Sequence, residues 1–275
     1  MDEPYKAAPD VYVLPTHLSL PGVGNLLVNA FVLLADEPVL IDTGLGMDGP
    51  GFLSALESIV SPGDLRWLWL THDDSDHTGS VQRIMEVAPR ARLATHAFSA
   101  LRMSTWWPVP FDRVYALSQG ERLNVGDRLL QAIRPPVFDN PMSWGIYDES
   151  SGILFSVDAF GAILPEVVRD AADVPEQDLL NGMVAWETFD SPWAHLVETS
   201  RFEAVLEGVR RLEPSRILSS HLPAATGSAD RFLDVLRSLR DAEPFVPPDQ
   251  AAFEQMIAAM SMPSGPDSAI TTAGS

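Results

Sequence analysis

Between Leu70 and Gly79 the sequence reads Leu-Thr-His-Asp-Asp-Ser-Asp-His-Thr-Gly. An apolar run ends there and releases His72, Asp74, Asp76 and His77 within six positions. Brought to one point, the carboxylates of Asp73, Asp74 and Asp76 repel one another unless something cationic compensates them. A pair of metal ions supplies that charge, and mixed imidazole and carboxylate donors suit such ions. Loops rich in Asp and Ser also cap helix N-termini with no metal involved. Two histidines flanking the carboxylates, directly after an apolar strand, favour the metal reading.

Two later strands end in the same manner. Ile153 to Val157 delivers Asp158, and Ile217 to Ser220 delivers His221. Side chains at strand termini are held rigidly with open space beyond them, so both residues are candidate ligands. Asp42 closes Val39-Leu40-Ile41 and is expected to orient a ligand histidine rather than bind metal itself. His17, His96 and His195 read as surface or core histidines, with His195 beside Trp193 the nearest to an exception. The stretch Trp106-Trp107-Pro108-Val109-Pro110 is a candidate loop over the metals.

The elements that must position these groups alternate. Strands are expected at Val11–Leu14, Leu26–Leu34, Pro38–Asp42, Leu65–Thr71, Arg92–Thr95, Ile153–Val157 and Ile217–Ser219. Arg113–Ala116, Glu121–Asn124 and Arg128–Arg134 read as antiparallel β. Helices are expected near Phe52–Val60, from about Gly79 to Val87, and after a capping box at Ser200-Arg201-Phe202-Glu203. Phe232, Val235, Leu236 and Leu239 mark another amphipathic helix, and Gln250–Met260 a short one. The pattern suits a mixed sheet sandwich covered by helices. We read residues 1–247 as one domain and 248–275 as a short helix with a flexible tail.

Composition narrows the chemistry. The chain has 275 residues, no cysteine and a net charge of -20. Disulfides, thiolate zinc sites, cysteine-ligated clusters and cysteine nucleophiles are excluded. A surface this acidic repels phosphate backbones and anionic membranes, so neither nucleic acid nor membrane is an expected partner. No run approaches the roughly 18 apolar residues of a membrane span. The acidic start, Met1-Asp2-Glu3-Pro4, lacks a secretory pattern, and a cytoplasmic address is expected.

From about Val11 to Gly227 the ordered set of motifs resembles the metallo-β-lactamase-fold superfamily. Leu40-Ile41-Asp42-Thr43-Gly44 is similar to its strand-end Asp motif, and His72 to Gly79 to its His-x-His-x-Asp-His-x-Gly loop. The resemblance implies a single-domain, four-layer αββα sandwich of mixed α/β class with a two-metal site at one edge of its sheets. Asp158 then matches the bridging carboxylate and His221 the last histidine. Asp74 stands where most hydrolases of the superfamily carry His. A carboxylate there is typical of the flavodiiron proteins and their stand-alone oxygen-binding di-iron relatives. Val157-Asp158-Ala159-Phe160-Gly161, Pro21-Gly22-Val23-Gly24 and Val28-Asn29-Ala30-Phe31 resemble the same branch. Where that branch carries His-x-Pro, this chain reads Asp139-Asn140-Pro141; Asp139 either ligates or leaves the site one ligand short.

On this resemblance His72, Asp74, Asp139 and Asp158 would hold one ion, and Asp76, His77, His221 and Asp158 the other. Three imidazoles against four carboxylates favour iron over zinc, with manganese or zinc still accepted. Three functions stand open. The first is a di-iron protein that binds or reduces O₂, NO or peroxide, or oxidises a small substrate. The second is a metal-dependent hydrolase of an ester, thioester or lactone, with Asp76 positioning the attacking hydroxide. The third is a non-catalytic metal-binding sensor. At 275 residues a fused flavodoxin domain is not expected, so a redox reading requires electrons from a separate donor protein or from the substrate. A homo-oligomer is compatible with all three.

Overall fold

The computed structural model describes residues 1–20 and 22–261. The first sheet begins β1 (Tyr5–Ala8), β2 (Val11–Leu20), β3 (Gly24–Leu33), β4 (Val39–Ile41), β5 (Trp67–Trp69), β6 (Arg92–His96) and β7 (Val114–Leu117), in that spatial order. Its first four strands pair antiparallel, with β2 and β3 forming a long hairpin, and β4 to β7 pair parallel. The second sheet carries β8 (Arg122–Asn124), β9 (Leu129–Ile133), β10 (Gly145–Asp148) and β11 (Ile153–Val157). β12 (Ile163–Leu164) returns to the first sheet beside β3, whereas β13 (Arg216–Ser219) lies parallel to β11 and carries β14 (Ala225–Thr226) on its far side. β7 is thus a parallel strand of the first sheet, not part of an antiparallel set with β8 and β9, as its sequence suggested.

Helices α1 (Gly49–Glu57), α2 (Ser75–Thr78), α3 (Val81–Val87) and α4 (Ala97–Met103) fall within the first half, and α5 (Glu176–Asp190), α6 (Thr199–Arg210), α7 (Ala229–Ser238) and α8 (Gln250–Ser261) within the second. Strand side chains alternate between faces, and this period sorts the apolar residues into layers. Val13, Phe31, Ile41, Trp69, Ile146 and Phe155 meet between the sheets, where the rings of Phe31 and Phe155 touch edge to face at 5.4 Å. Val32, Leu40 and Leu68 face the other way, onto Phe52, Leu56, Ile84 and Met103 of α1, α3 and α4. Leu154 and Ile217 of the second sheet face Met183, Phe202, Leu206 and Phe232 of α5 to α7. Each fully buried Phe or Leu of this kind contributes about 1.5–3 kcal/mol, so three continuous clusters hold the layers together. The αββα architecture and its mixed α/β class agree with the expectation.

Several local elements differ from their sequence reading. The helix expected from about Gly79 to Val87 is α3, which starts at Val81, and a separate single turn not expected there, α2, precedes it and contains Asp76 and His77. α6 is capped by Glu198, whose carboxylate accepts from the backbone N–H of Ser200 and Arg201, so Ser200 is not the cap. Trp107 and Val109 are buried in the cluster outside the first sheet, and the Trp106–Pro110 stretch does not line the metal-site cavity. α5 went unread because its buried face mixes Leu179, Met183 and Trp186 with Glu187 and Asp190, which breaks the apolar stripe. The tail expected to be flexible, Pro263 to Ser275, lies outside the described residues.

Candidate metal centre

Four parallel-paired strands, two from each sheet, release their C-terminal ends toward the same edge. β4 ends at Asp42, β5 leads into Thr71 and His72, β11 ends at Asp158 and β13 leads into His221. α2 lifts Asp76 and His77 into the same space. Its position is fixed by the turn after Asp42: Thr43 N–H and Thr43 Oγ1 both donate to His77 O, at 2.7 and 2.9 Å. Gly79 N–H donates to Gly44 O at 2.9 Å. A Cβ on Gly79 would sit 2.2–2.4 Å from backbone atoms of Gly44, Leu45 and Gly46, so only glycine permits this approach.

The three imidazoles converge through Nε2. His77 Nε2 and His221 Nε2 are each 3.0 Å from Asp158 Oδ1 and 3.5 Å from Asp76 Oδ2. His72 Nε2 is 3.4 Å from Asp158 Oδ2 and 3.7 Å from Asp74 Oδ2. Asp139 offers an oxygen within 4.8 Å of the donor atoms of His72 and Asp74. The carboxylate of Asp158 therefore stands between two groups, with one oxygen toward each. All seven residues singled out from the sequence line one cavity.

Each imidazole is anchored from behind. His221 Nδ1 donates to Leu27 O at 2.7 Å, and a carbonyl can only accept, so in the neutral ring it is Nε2 that carries the lone pair. His77 Nδ1 lies 2.8 Å from Asp42 Oδ2, and Asp42 also accepts from Thr71 N–H and Thr71 Oγ1. His72 Nδ1 lies 3.2 Å from Thr71 Oγ1. Asp42 holds the His77 ring and is not among the gathered donor groups. Its backbone is left-handed at φ 58°, as is that of Val157 at φ 60° just before Asp158. A β-branched residue there stores roughly 1–3 kcal/mol of strain. Hydrogen bonds from Ser219 Oγ and Ser220 N–H to Val157 O hold it in place.

The electrostatics call for positive charge. Burial opposes ionisation of Asp158, yet His72, His77 and His221 hold it well below the usual carboxylate range. Burial likewise disfavours the charged form of His77, but Asp76, Asp158 and Asp42 raise its pKa well above the usual imidazole range. Burial, then Asp158 and Asp74, push the Asp139 carboxyl up to about 7, although its outer face is open to solvent. Asp158 Oδ1, despite its two close nitrogens, makes no contact of hydrogen-bond geometry. A buried carboxylate oxygen without a hydrogen bond, facing two nitrogens, is satisfied by a cation between them. The donor set therefore fits two metal ions.

Sequence reasoning missed two contributors. Asp190, at the end of α5, has an oxygen within 4.8 Å of those of Asp139 and Asp158. Burial and the charge of Asp158 push its carboxyl up to about 8. It gave no signal because Asp190-Ser191-Pro192 reads as an ordinary helix stop, and only the docking of α5 carries it inward. Gly182 makes that docking close: a Cβ there would lie 2.3 Å from Ile163 O of β12. Asn140 is the second, donating through Nδ2 to Asp74 Oδ1 at 2.9 Å and Asp73 Oδ1 at 3.2 Å. Asp73 itself turns away to Arg102 Nε at 2.9 Å. Trp186 lays its ring 4.5 Å from that of His221 and donates from Nε1 to Asp158 O. His17 pairs with Asp2, His96 caps α4 and stacks on Trp144, and neither lines the cavity. His195 also lies outside it.

Two facing sheets between helical layers, with His and Asp donors gathered where their strands end, define a metallo-β-lactamase fold. Residues 26–221 match the family described as ODP family beta lactamase, and the chain belongs to that family. The Type A flavoprotein fprA of Rhodobacter capsulatus is 25% identical over 224 residues, covering 74% of this chain and 52% of that protein. A nitric oxide reductase of Moorella thermoacetica is 29% identical over 143 residues, 51% of this chain and 35% of that protein. The rubredoxin oxygen:oxidoreductase of Desulfovibrio gigas superposes with a TM-score of 0.73 at 18% identity, over 87% of this chain and 61% of that one. The chain thus spans about half or less of the length of these curated relatives.

Proposed function

We propose that this chain is a non-haem di-iron oxidoreductase unit that binds or reduces O₂ or NO, with electrons from an external donor. The observation that carries this reading is the donor balance. Asp74 and Asp139 add carboxylates to the His72 group, so the pocket gathers three imidazoles and four carboxylates before Asp190 is counted. His72, Asp74, Asp139 and Asp158 would hold one iron, and Asp76, His77, His221 and Asp158 the other. The names of relatives that reduce nitric oxide or oxygen support the same chemistry.

Two iron ions would supply one-electron redox changes and open positions for a small ligand. The protein's part is positional. Asp42 and Leu27 O fix the Nδ1 faces of His77 and His221, which keeps both Nε2 atoms aimed inward. Asp158 divides its oxygens between the two groups and is the residue whose loss would uncouple them. Asp76 faces His77 and His221 together. Asp190 lies beside Asp139 and Asp158, and burial with the Asp158 charge raises its carboxyl to about 8, so it would hold a proton at the edge of the donor cluster. Trp186 covers one side of the His221 ring and donates to Asp158 O.

A hydrolase needs a strongly Lewis-acidic metal to ionise its bound water, and four carboxylates weaken that acidity. The reading also includes a cytoplasmic location, a separate donor protein and self-association. Among the described residues, no helix is long and apolar enough to cross a membrane. The test is metal analysis of protein purified without added metal, followed by anaerobic reduction and exposure to O₂ or NO. We expect about two iron per chain and consumption of the gas only with reductant present. Stoichiometric zinc with esterase or lactonase turnover overturns the reading.

A further inference from the structure

The donor cluster occupies one end of a cavity of about 730 Å³. A diatomic molecule needs a small part of that, since even a water occupies only about 30 Å³. The volume falls in the range of about 300–1,000 Å³ found for pockets that enclose whole organic ligands. Away from the cluster its walls are apolar: Leu18, Leu20 and Leu26 of the hairpin, Ile163 of β12, Phe189 of α5, and Phe245 beyond α7. Phe189 and Phe245 meet edge to face at 5.1 Å and tie the C-terminal segment to α5. At the mouth, Val23, Phe189, Phe245 and Val246 remain 57%, 52%, 44% and 82% exposed. A patch of large apolar side chains around an opening is the surface on which an apolar ligand lands.

Charge narrows the class. Among the described residues no arginine or lysine lines this cavity. Its charged side chains are the donor residues and Asp190, all gathered in one cluster. An anionic tail would find no cation along the walls and would enter a protein of net charge -20. A cationic tail would find no carboxylate beyond the cluster. We propose that this site takes an uncharged, largely apolar organic molecule whose single polar group faces the donor cluster. For the chemistry done on that molecule the inference rests on the di-iron reading; for its binding it does not.

The test uses a matched pair of probes, N-phenyl-1-naphthylamine and its 8-sulfonate, titrated by calorimetry into the full chain, iron-loaded and metal-free. The neutral amine should bind once per chain, and the sulfonate at least tenfold more weakly. Val246→Asp, at an 82% exposed position, should weaken amine binding at least tenfold with iron content and melting temperature unchanged, and Phe189→Asp, which also removes the ring contact to Phe245, should weaken it as much with iron content unchanged. Leu129→Asp, an exposed apolar position on β9 outside the cavity, should change nothing. No saturable amine binding to folded, iron-loaded protein overturns the inference, as does equal affinity for the two probes or indifference to both mouth variants. A dimer that Val246→Asp splits, with no probe bound, makes the mouth a subunit interface and also overturns it. Amine binding to a chain that takes up no iron leaves the inference standing and refutes the di-iron reading instead.

Discussion

Replacing Asp42 by Asn isolates the role of a side chain that touches no other donor residue except His77. Asn is the informative substitute because it tolerates the left-handed backbone at φ 58°, so the fold is little strained. Asp42 presents two acceptor oxygens: one takes Thr71 N–H at 2.8 Å, the other faces His77 Nδ1 at 2.8 Å. An amide has one oxygen and one NH₂. If the oxygen stays on Thr71, the NH₂ faces His77 and forces the proton onto Nε2, the atom that must carry a lone pair for a metal. If the amide flips, Thr71 N–H loses its acceptor in a site where Asp42 is 1% exposed. Loss of such a buried partner to a ligand histidine weakens metal binding by about 10–100-fold, or about 1.4–2.7 kcal/mol. The loss should fall on the His77–His221–Asp76 group and spare the His72 group. Chelator-competition titration with cobalt(II), followed optically, should show one site weakened and the other near its parent affinity. Equal weakening of both, or none, with an unchanged melting temperature, would refute the orienting role of Asp42.

Asp74→His should move metal preference from iron toward zinc, read as metal content after expression in mixed-metal medium; unchanged content removes Asp74 from the donor set. Gly79→Ala places a Cβ against three backbone atoms at 2.2–2.4 Å and should cost about 3 kcal/mol or more, read as a urea midpoint shift together with loss of metal uptake. Asp148 is buried, and the hydroxyls of Ser150 and Ser151 with Arg128 hold its carboxyl below the usual range against the effect of burial. A depressed folded pKa gives stability above the unfolded value of about 3.9 that is lost as pH falls through the folded one, so Asp148→Asn should flatten the acid limb of stability below about pH 4. Glu187 runs the other way: burial, reinforced by Asp190, raises its carboxyl well above the usual range. Its stability cost therefore appears as pH rises from about 4.3 toward the folded pKa, and Glu187→Gln should make the metal-free protein more stable at neutral pH; a less stable variant contradicts this.

What could be read from the chain follows how local each signal is. His72, Asp74, Asp76 and His77 sit within one segment, and the buried strand before them sets their starting point, so their convergence needed little tertiary information. Asp158 and His221 were legible because β11 and β13 are short, mainly apolar strands followed closely by a polar donor. The same logic found Asp42, whose strand is three buried residues long. Asp190 and Asn140 were not legible, because their places come from contacts between segments far apart in sequence: α5 docks through Gly182 onto β12, and Asn140 meets Asp73 and Asp74 across the loop. α5 is the instructive failure. Its buried Glu187 donates nothing to an apolar stripe, yet its Oε1 accepts Phe160 N–H at 2.6 Å and secures the left-handed Phe160 two residues after Asp158. The polar residues that hid this helix from periodicity are therefore the ones that hold the site's central turn, and a helix that serves a buried polar centre will be under-read by any pattern that counts only apolar positions.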